Sequence, residues 1–475
     1  VAADLDDIFT AMGRQADVLP LAGPDAARRI GRRRNRNAVI AAAATVLIVV
    51  AGAGAGVAWR HDPSPEPILP ANTIRGIAPI GSPLRLHGPA DETMLSMIAI
   101  NDDRVSVASG GFENDPLEVI GVDARSGAKV WDAGRLNAIE MNGPVAVPGG
   151  MVLYDGPDLS VRDPETGAEL WKTVDPANGD VVVGDGVLVR VNVGGLSEGF
   201  ALRTGKKLWS VPASGDDRPR HSIGFLENTT RRSLHFSDDR FAQLTLGGTV
   251  LVRDIHTGKI LKSVATTVRP KLMTGFSVSG DLALIKDTVG YLDKPSRLVA
   301  ADVSTGKVRD LYSIRTGLMR DAAPCGTGRI CVASTEGYTR DGGLNPETVK
   351  VIDTTTGRIL WTAQFGDALL SASSRAGRVL VTSASGSASL YDVDGRVIAQ
   401  GGDTFGHIGQ GWIDDANVLL QTPTAKGYDI TTISAVDGRR TTLGTLSAVN
   451  AECTWTSEIL ACRDGAELKL WRFER

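Results

Sequence analysis

Four cysteines, six histidines and one serine in a Gly-x-Ser-x-Gly string are the residues of this 475-residue chain whose types and spacing could carry chemistry. Cys325 and Cys331 are spaced C-x5-C, and Cys453 and Cys462 are spaced C-x8-C. An even number in close pairs suits two local disulfides in an oxidising compartment, each stapling a hairpin; the alternative is four buried free thiols. His61, His87, His221, His235, His256 and His407 lie far apart, with no HxH or HxxxH pair to begin a metal site. No Asp-x-Asp-x-Asp-Gly calcium loop and no P-loop occurs. Gly195-Leu196-Ser197-Glu198-Gly199 matches a nucleophile elbow in its letters. An elbow needs a strand before the serine and a helix after it, whereas this copy falls between two expected strands. The sequence therefore assigns no catalytic, cofactor-binding or metal-binding residue, and no cofactor.

A second group of residues is electrostatic. Arg28, Arg29, Arg32, Arg33, Arg34 and Arg36 abut a wholly uncharged run over 38–59, whose 22 residues would span about 33 Å as a helix and so match a bilayer core. The positive-inside rule keeps the arginines cytoplasmic, where they anchor to acidic headgroups, and sends the chain after Trp59 across the membrane. A cleaved signal peptide is the rival reading, suggested by Ala51-Gly52-Ala53, but the 37-residue leader is longer than an ordinary n-region. Within that cytosolic tail, 1–37, Leu5, Ile8, Phe9 and Met12 sit at helical spacing behind Asp4, Asp6 and Asp7. They predict a short amphipathic helix, read either as a docking peptide for a cytosolic partner or as a frayed end. Four prolines between His61 and Ala71 then predict a stiff spacer over 60–82. The net charge of −4 argues against nucleic acid as a partner.

The remaining 83–475 is organised by one phrase, clearest at 353–361 as Asp-Thr-Thr-Thr-Gly-Arg-Ile-Leu-Trp. It reads as a hairpin: a strand ending in Asp, a turn closed by glycine, and a return strand ending in an indole. The turn glycines Gly127, Gly167, Gly205, Gly258, Gly306, Gly357, Gly395 and Gly438 recur every 38 to 53 residues, the period of a propeller blade of about four strands. Trp131, Trp171, Trp209 and Trp361 end the phrase, and the last expected strand, 467–473, carries another indole at Trp471; at that position an indole wedges one blade against its neighbour. A literal count, with 83–87 lending a closing strand to the C-terminal three, gives nine blades. Discounting the irregular stretch 220–266 gives eight, the number expected here, with seven as the alternative. The fold class is thus an all-β propeller preceded by one transmembrane helix and a short cytosolic tail.

With its Asp-x-x-Thr-Gly-x-x-x-Trp phrase, the region from about residue 90 onward resembles the propellers built from pyrroloquinoline-quinone-type repeats. These include eight-bladed quinoprotein dehydrogenases and a non-enzymatic propeller lipoprotein that assists outer-membrane protein assembly. The dehydrogenases hold their quinone under a disulfide between adjacent cysteines, and this chain has no adjacent pair. The expectation is a non-catalytic, membrane-anchored extracytoplasmic platform in the cell envelope. It would bind another envelope protein or a small ligand on the propeller face, through loops such as 214–220 and 335–347. The alternative is a divergent quinoprotein-type oxidoreductase.

Overall fold

Strands of this chain carry apolar residues on both faces, as in Val-Leu-Val-Arg-Val of Val187–Val191, so each sheet must be covered on both sides. A ring of sheets packed face to face satisfies that need, and the computed structural model has this form. It describes residues 73–475 apart from 89–93, 102, 112–115, 137–143, 156–157, 175–178, 226–233, 272–273, 289–294, 338–344, 366–368, 384–386, 401–409 and 448–451. The expected tail with its six arginines, the apolar span 38–59 and the first part of the spacer lie outside the described residues. Among the described residues no helix is long and apolar enough to cross a membrane.

Antiparallel pairing in chain order builds nine sheets of four blade strands each from the described residues. Blades 1 to 9 occupy 94–136, 145–174, 180–212, 219–265, 275–314, 317–365, 369–400, 410–446 and 452–474. The core is divided among nine apolar seams, one between each pair of neighbours, including a seam that joins blade 9 to blade 1 and closes the ring. Alternation along one strand feeds two seams. On Arg329–Glu336, Ile330 and Val332 face blade 5, while Cys331 and Ala333 face blade 7.

The ring has nine blades, which corrects both the expected eight and the alternative seven. The discounted stretch forms blade 4 in full: Pro219–Gly224, Arg240–Thr245, Thr249–Asp254 and Ile260–Ala265 pair in order. It read as irregular because residues 225–239 intervene between its first two strands. Blade 9 takes its outer strand from the other end of the chain, but not mainly from 83–87. Gly76–Pro79 pairs with 471–474, and Leu84–Arg85 extends that pairing at Leu468 and Glu467. The span expected to be spacer, 60–82, therefore ends in propeller structure, with Ile74 and Ile80 buried in the seams on either side of blade 9.

Most phrase turns are closed by an aspartate; Ala201 and Ser434 stand in its place in blades 3 and 8. Asp353 Oδ1 accepts the N–H of Thr355 at 2.9 Å, the N–H of Thr356 at 2.7 Å and the Thr356 hydroxyl at 2.8 Å. Asp123, Asp254 and Asp302 do the same with their own Ser or Thr. These bonds hold the carboxyls below the usual range, Asp302 at about 2, through the Ser304 hydroxyl first. A carboxyl lowered in the folded state contributes stability above its unfolded value near 3.8 and loses it as pH falls through the folded value. Acid unfolding is thus expected between about pH 4 and pH 2. Asp302→Asn should lower stability at pH 7, with the gap to the parent narrowing as pH falls below about 4, as read by urea unfolding at each pH where the ring is folded.

Candidate functional site

The phrase does its work between blades rather than within one. In blades 1 to 8 the third and fourth strands slip by one residue just after the turn. The residue skipped is apolar every time: Val130, Leu170, Leu208, Leu261, Leu311, Leu360, Ile398 and Leu443. Such a bulge kinks the strand and re-aims the next side chain. Where that side chain is an indole, it reaches the turn of the following blade. Trp131 Nε1 donates to the Pro164 carbonyl at 3.0 Å, Trp171 to Leu202 at 2.6 Å, and Trp209 to Ile255 at 2.9 Å. The ring then covers the next turn glycine so closely that a Cβ on Gly167, Gly205, Gly258 or Gly395 would stand 2.5–2.6 Å from it. Gly395 is the socket for Trp361, which also lies 5.2 Å from the Tyr391 ring.

Trp471 is placed differently. It lies on Glu467–Glu474, the third strand of blade 9, and packs half-buried against the seam with blade 8. The fully buried indole of that seam is Trp455, whose Nε1 donates to the Trp412 carbonyl at 3.2 Å. Sequence reasoning missed it because Trp455 ends an inner strand and no phrase announces it. It also missed Gly121 and Gly199, which sit opposite Trp131 and Trp209 so closely that a Cβ would meet the indole at 1.9 Å and 2.2 Å. A glycine directly across from an indole was the available signal.

The cysteines form two disulfides, Cys325 with Cys331 and Cys453 with Cys462, with Cα atoms 5.5 Å and 4.1 Å apart. Each joins the first two strands of its own blade, blade 6 and blade 9, so they staple separate hairpins. Ser197 lies on the strand Leu196–Ala201, 3 % exposed, in strand-to-strand context rather than at an elbow. Its Oγ accepts from Gln243 Nε2 at 3.1 Å. Gln243 also donates to the Ser222 hydroxyl at 3.2 Å and accepts from Arg253 Nε at 2.7 Å. The serine is thereby part of a buried polar bridge between blades 3 and 4.

Residues 117–324 match the repeat family described as outer membrane protein assembly factor BamB. Over that stretch the chain is similar to the PQQ-like repeat propellers. No curated protein matches it. Among solved structures it is similar to BamB from Moraxella catarrhalis, at 13% identity over 84% of this chain and 100% of that one, with a TM-score of 0.44. A computationally designed protein, Ika8, is similar at 14% identity over 82% and 99%, with a TM-score of 0.43.

The antiparallel order of the blades gives the ring two unlike faces. The turns between first and second strands, and the phrase turns, share one face; the second-to-third loops and the links between blades share the other. Arginines lace the turn face from blade to blade. Arg104 pairs with Glu165 at 2.5 Å, Arg203 with Asp163 at 2.7 Å, and Arg375 with Asp415 at 2.9 Å. Loops 214–220 and 335–347 both belong to the link face. Beneath the second of them, Glu336 accepts from both the Tyr312 hydroxyl and Lys350 Nζ, clamping blade 5 to blade 6. Burial works against the Glu336 carboxylate, but these two partners outweigh it and its acid is lowered. Among the described residues no three His, Cys, Asp or Glu side chains converge as metal ligands.

Both ends of the described chain lie on the turn face. Thr73 accepts from Arg439, in the phrase turn of blade 8, at 3.5 Å, and Arg75 N–H donates to the Glu474 carbonyl at 2.8 Å. Arg475 pairs with Asp414 at 2.7 Å and donates to the Ser457 carbonyl at 2.7 Å; both residues sit in first-to-second turns.

Proposed function

We propose that the chain is a non-catalytic binding platform of the cell envelope, held to the membrane by 38–59 with the propeller outside, and that its link face receives a protein partner. The observation that carries this reading is the exit of the chain before Thr73 on the turn face. A tether leaving there keeps the link face, with its loops 214–220 and 335–347, unobstructed. The family matched by 117–324 is described by an assembly factor for outer-membrane proteins, and a protein-binding role fits that description. The cysteines support the reading as well, since they are committed to hairpins in two different blades rather than paired as neighbours over a quinone.

A photo-crosslinking residue placed at exposed Asp217 on the link face and at exposed Asp394 on the turn face tests the proposal in intact cells. Asp217 is expected to capture an envelope protein that Asp394 does not. Capture from Asp394 alone would assign the partner to the wrong face. Stoichiometric quinone absorbance with dye-linked alcohol or sugar oxidation by purified protein would replace the platform with the oxidoreductase reading.

A further inference from the structure

Blade 4 departs from its neighbours between its first two strands. After Pro219–Gly224 the chain does not turn directly into Arg240–Thr245. Leu234–Ser237 instead lies in parallel along the inner edge of Asp180–Gly184 in blade 3, with Val181 opposite Leu234 and Gly184 opposite Ser237. It is the one parallel pairing among the described strands. Two glycines shape the slot. A Cβ on Gly184 would stand 2.3 Å from the Ser237 carbonyl oxygen, and one on Gly224 would stand 1.7 Å from that of Phe236. The Ser237 hydroxyl accepts the Phe225 N–H at 3.2 Å and donates to the Arg240 carbonyl. Phe236 packs on the seam of blades 2 and 3. Alternation then puts His235 on the other side, level with Val182, which lies in the seam of blades 3 and 4.

We propose that Leu234–Ser237 is a releasable strand, docked on the inner edge of blade 3 at neutral pH and let go on acidification through His235 and His221. Release bares the backbone donors and acceptors of 181–184 to the centre of the ring. His221 comes from Pro219–Gly224, the strand packed against the slot from blade 4, and its Nε2 is buried without a hydrogen bond. Burial and then Arg220 push its imidazole down to about 4; burial and then His221 do the same to His235. The Thr274 backbone, hydrogen-bonded to His221, works the other way and is outweighed.

Other ionisable groups flank the slot. Asp180 is the one on Asp180–Gly184; burial raises it to about 7, a shift of opposite sign. It lies one residue before the paired stretch, and its carboxylate accepts the Ser222 N–H at 2.5 Å, a contact between blades 3 and 4 that release leaves in place. Arg220 adds positive charge on the same strand as His221. Past the docked segment, Asp238 and Asp239 are exposed, and Arg240 sits over the Phe225 ring at 4.3 Å.

An imidazole at about 4 when docked and near 6.5 when freed favours docking above pH 6.5 and loses that preference as pH falls toward 4. At pH 5 His235, the imidazole on the strand itself, shifts the ratio of docked to released strand by roughly 30-fold relative to pH 8. Amide hydrogen exchange of the full chain, corrected for the intrinsic pH dependence of exchange, reads this at 234–237. Protection is expected to fall by about 30-fold or more from pH 8 to pH 5, above the range in which the turn aspartates let the whole ring unfold. His235→Gln should reduce the step, His221→Gln with His235→Gln should flatten it, and Asp180→Asn should leave it unchanged. Should His235→Gln loosen the strand at pH 8 as well, His221→Gln, which lies off the strand, still has to reduce the step. Unchanged protection in the parent, tighter protection at pH 5, or a full step surviving in the double variant would overturn the inference.

Discussion

A chain shortened to begin at Leu84 is expected to lose more than about 5 kcal/mol relative to one beginning at Thr73, and to lose it at two seams rather than one. The strand removed is the outer strand of blade 9, Gly76–Pro79, with the residues that flank it. Ile74 is 1 % exposed in the seam with blade 8, and Ile80 is 7 % exposed in the seam with blade 1. Fully burying an isoleucine stabilises by about 1.5–3 kcal/mol, so the two together supply most of the expected loss. The rest comes from hydrogen bonds such as Ile80 N–H to the Leu470 carbonyl at 2.8 Å, whose loss leaves Glu467–Glu474 as a bare edge. Urea unfolding followed by tryptophan fluorescence compares the two chains. Equal midpoints would mean that the ring closes without this strand.

That strand was hard to read for a physical reason. Gly-Ile-Ala-Pro follows a proline-rich stretch and ends in a proline, and proline removes a backbone donor, so the segment looked like the continuation of a spacer. On an outermost strand that donor has no ladder partner to lose, and Pro79 is tolerated opposite Trp471. Blade 4 was obscured by the opposite kind of event. Its alternating strands are ordinary, but the detour of 225–239 broke the expected spacing, and the indole position is filled by Lys262 beside the skipped Leu261. The repeat itself was legible, because an Asp, a Thr and a Gly at fixed spacing can only be a tight turn. Its second meaning was not legible. The glycine that permits the turn, with φ 70° at Gly167, also leaves room for the indole of the blade before it, Trp131, and that partner lies a whole repeat away in sequence.

Cysteine spacing was a sound guide, since residues six and nine apart reach each other across one hairpin whatever the rest of the fold does. The histidines were not legible. His221 and His235 are fourteen positions apart with no motif between them, and a strand that leaves its own blade to pair with another brings them together. Local rules read local contacts, and this pairing is set by a slot whose walls, Gly184 and Gly224, come from two blades. Ser197 shows the converse: its five-residue string is a complete match in letters, yet the flanking strands place its hydroxyl in a buried bridge to Gln243.

Replacing Trp455 by alanine is expected to cost about 3–5 kcal/mol, whereas Trp471→Ala costs distinctly less, although both belong to blade 9 and pack on the same seam. Trp455 is 0 % exposed, so its removal leaves a cavity that the facing side chains of blade 8, Ile413 and Leu419, cannot fill without moving. It also strips the Trp412 carbonyl of its donor at 3.2 Å, which adds the penalty of a buried acceptor left unpaired. Trp471 is half-buried, and solvent can occupy the space it vacates. Urea midpoints of the two variants, measured with the Cys453–Cys462 disulfide intact, rank them. A Trp471 variant as damaged as the Trp455 variant would make the outer indole, on the third strand of the blade, the principal wedge of this seam. The expected order instead gives that role to a tryptophan that no repeat motif marks, because complete burial, rather than membership of the phrase, decides how much an indole contributes.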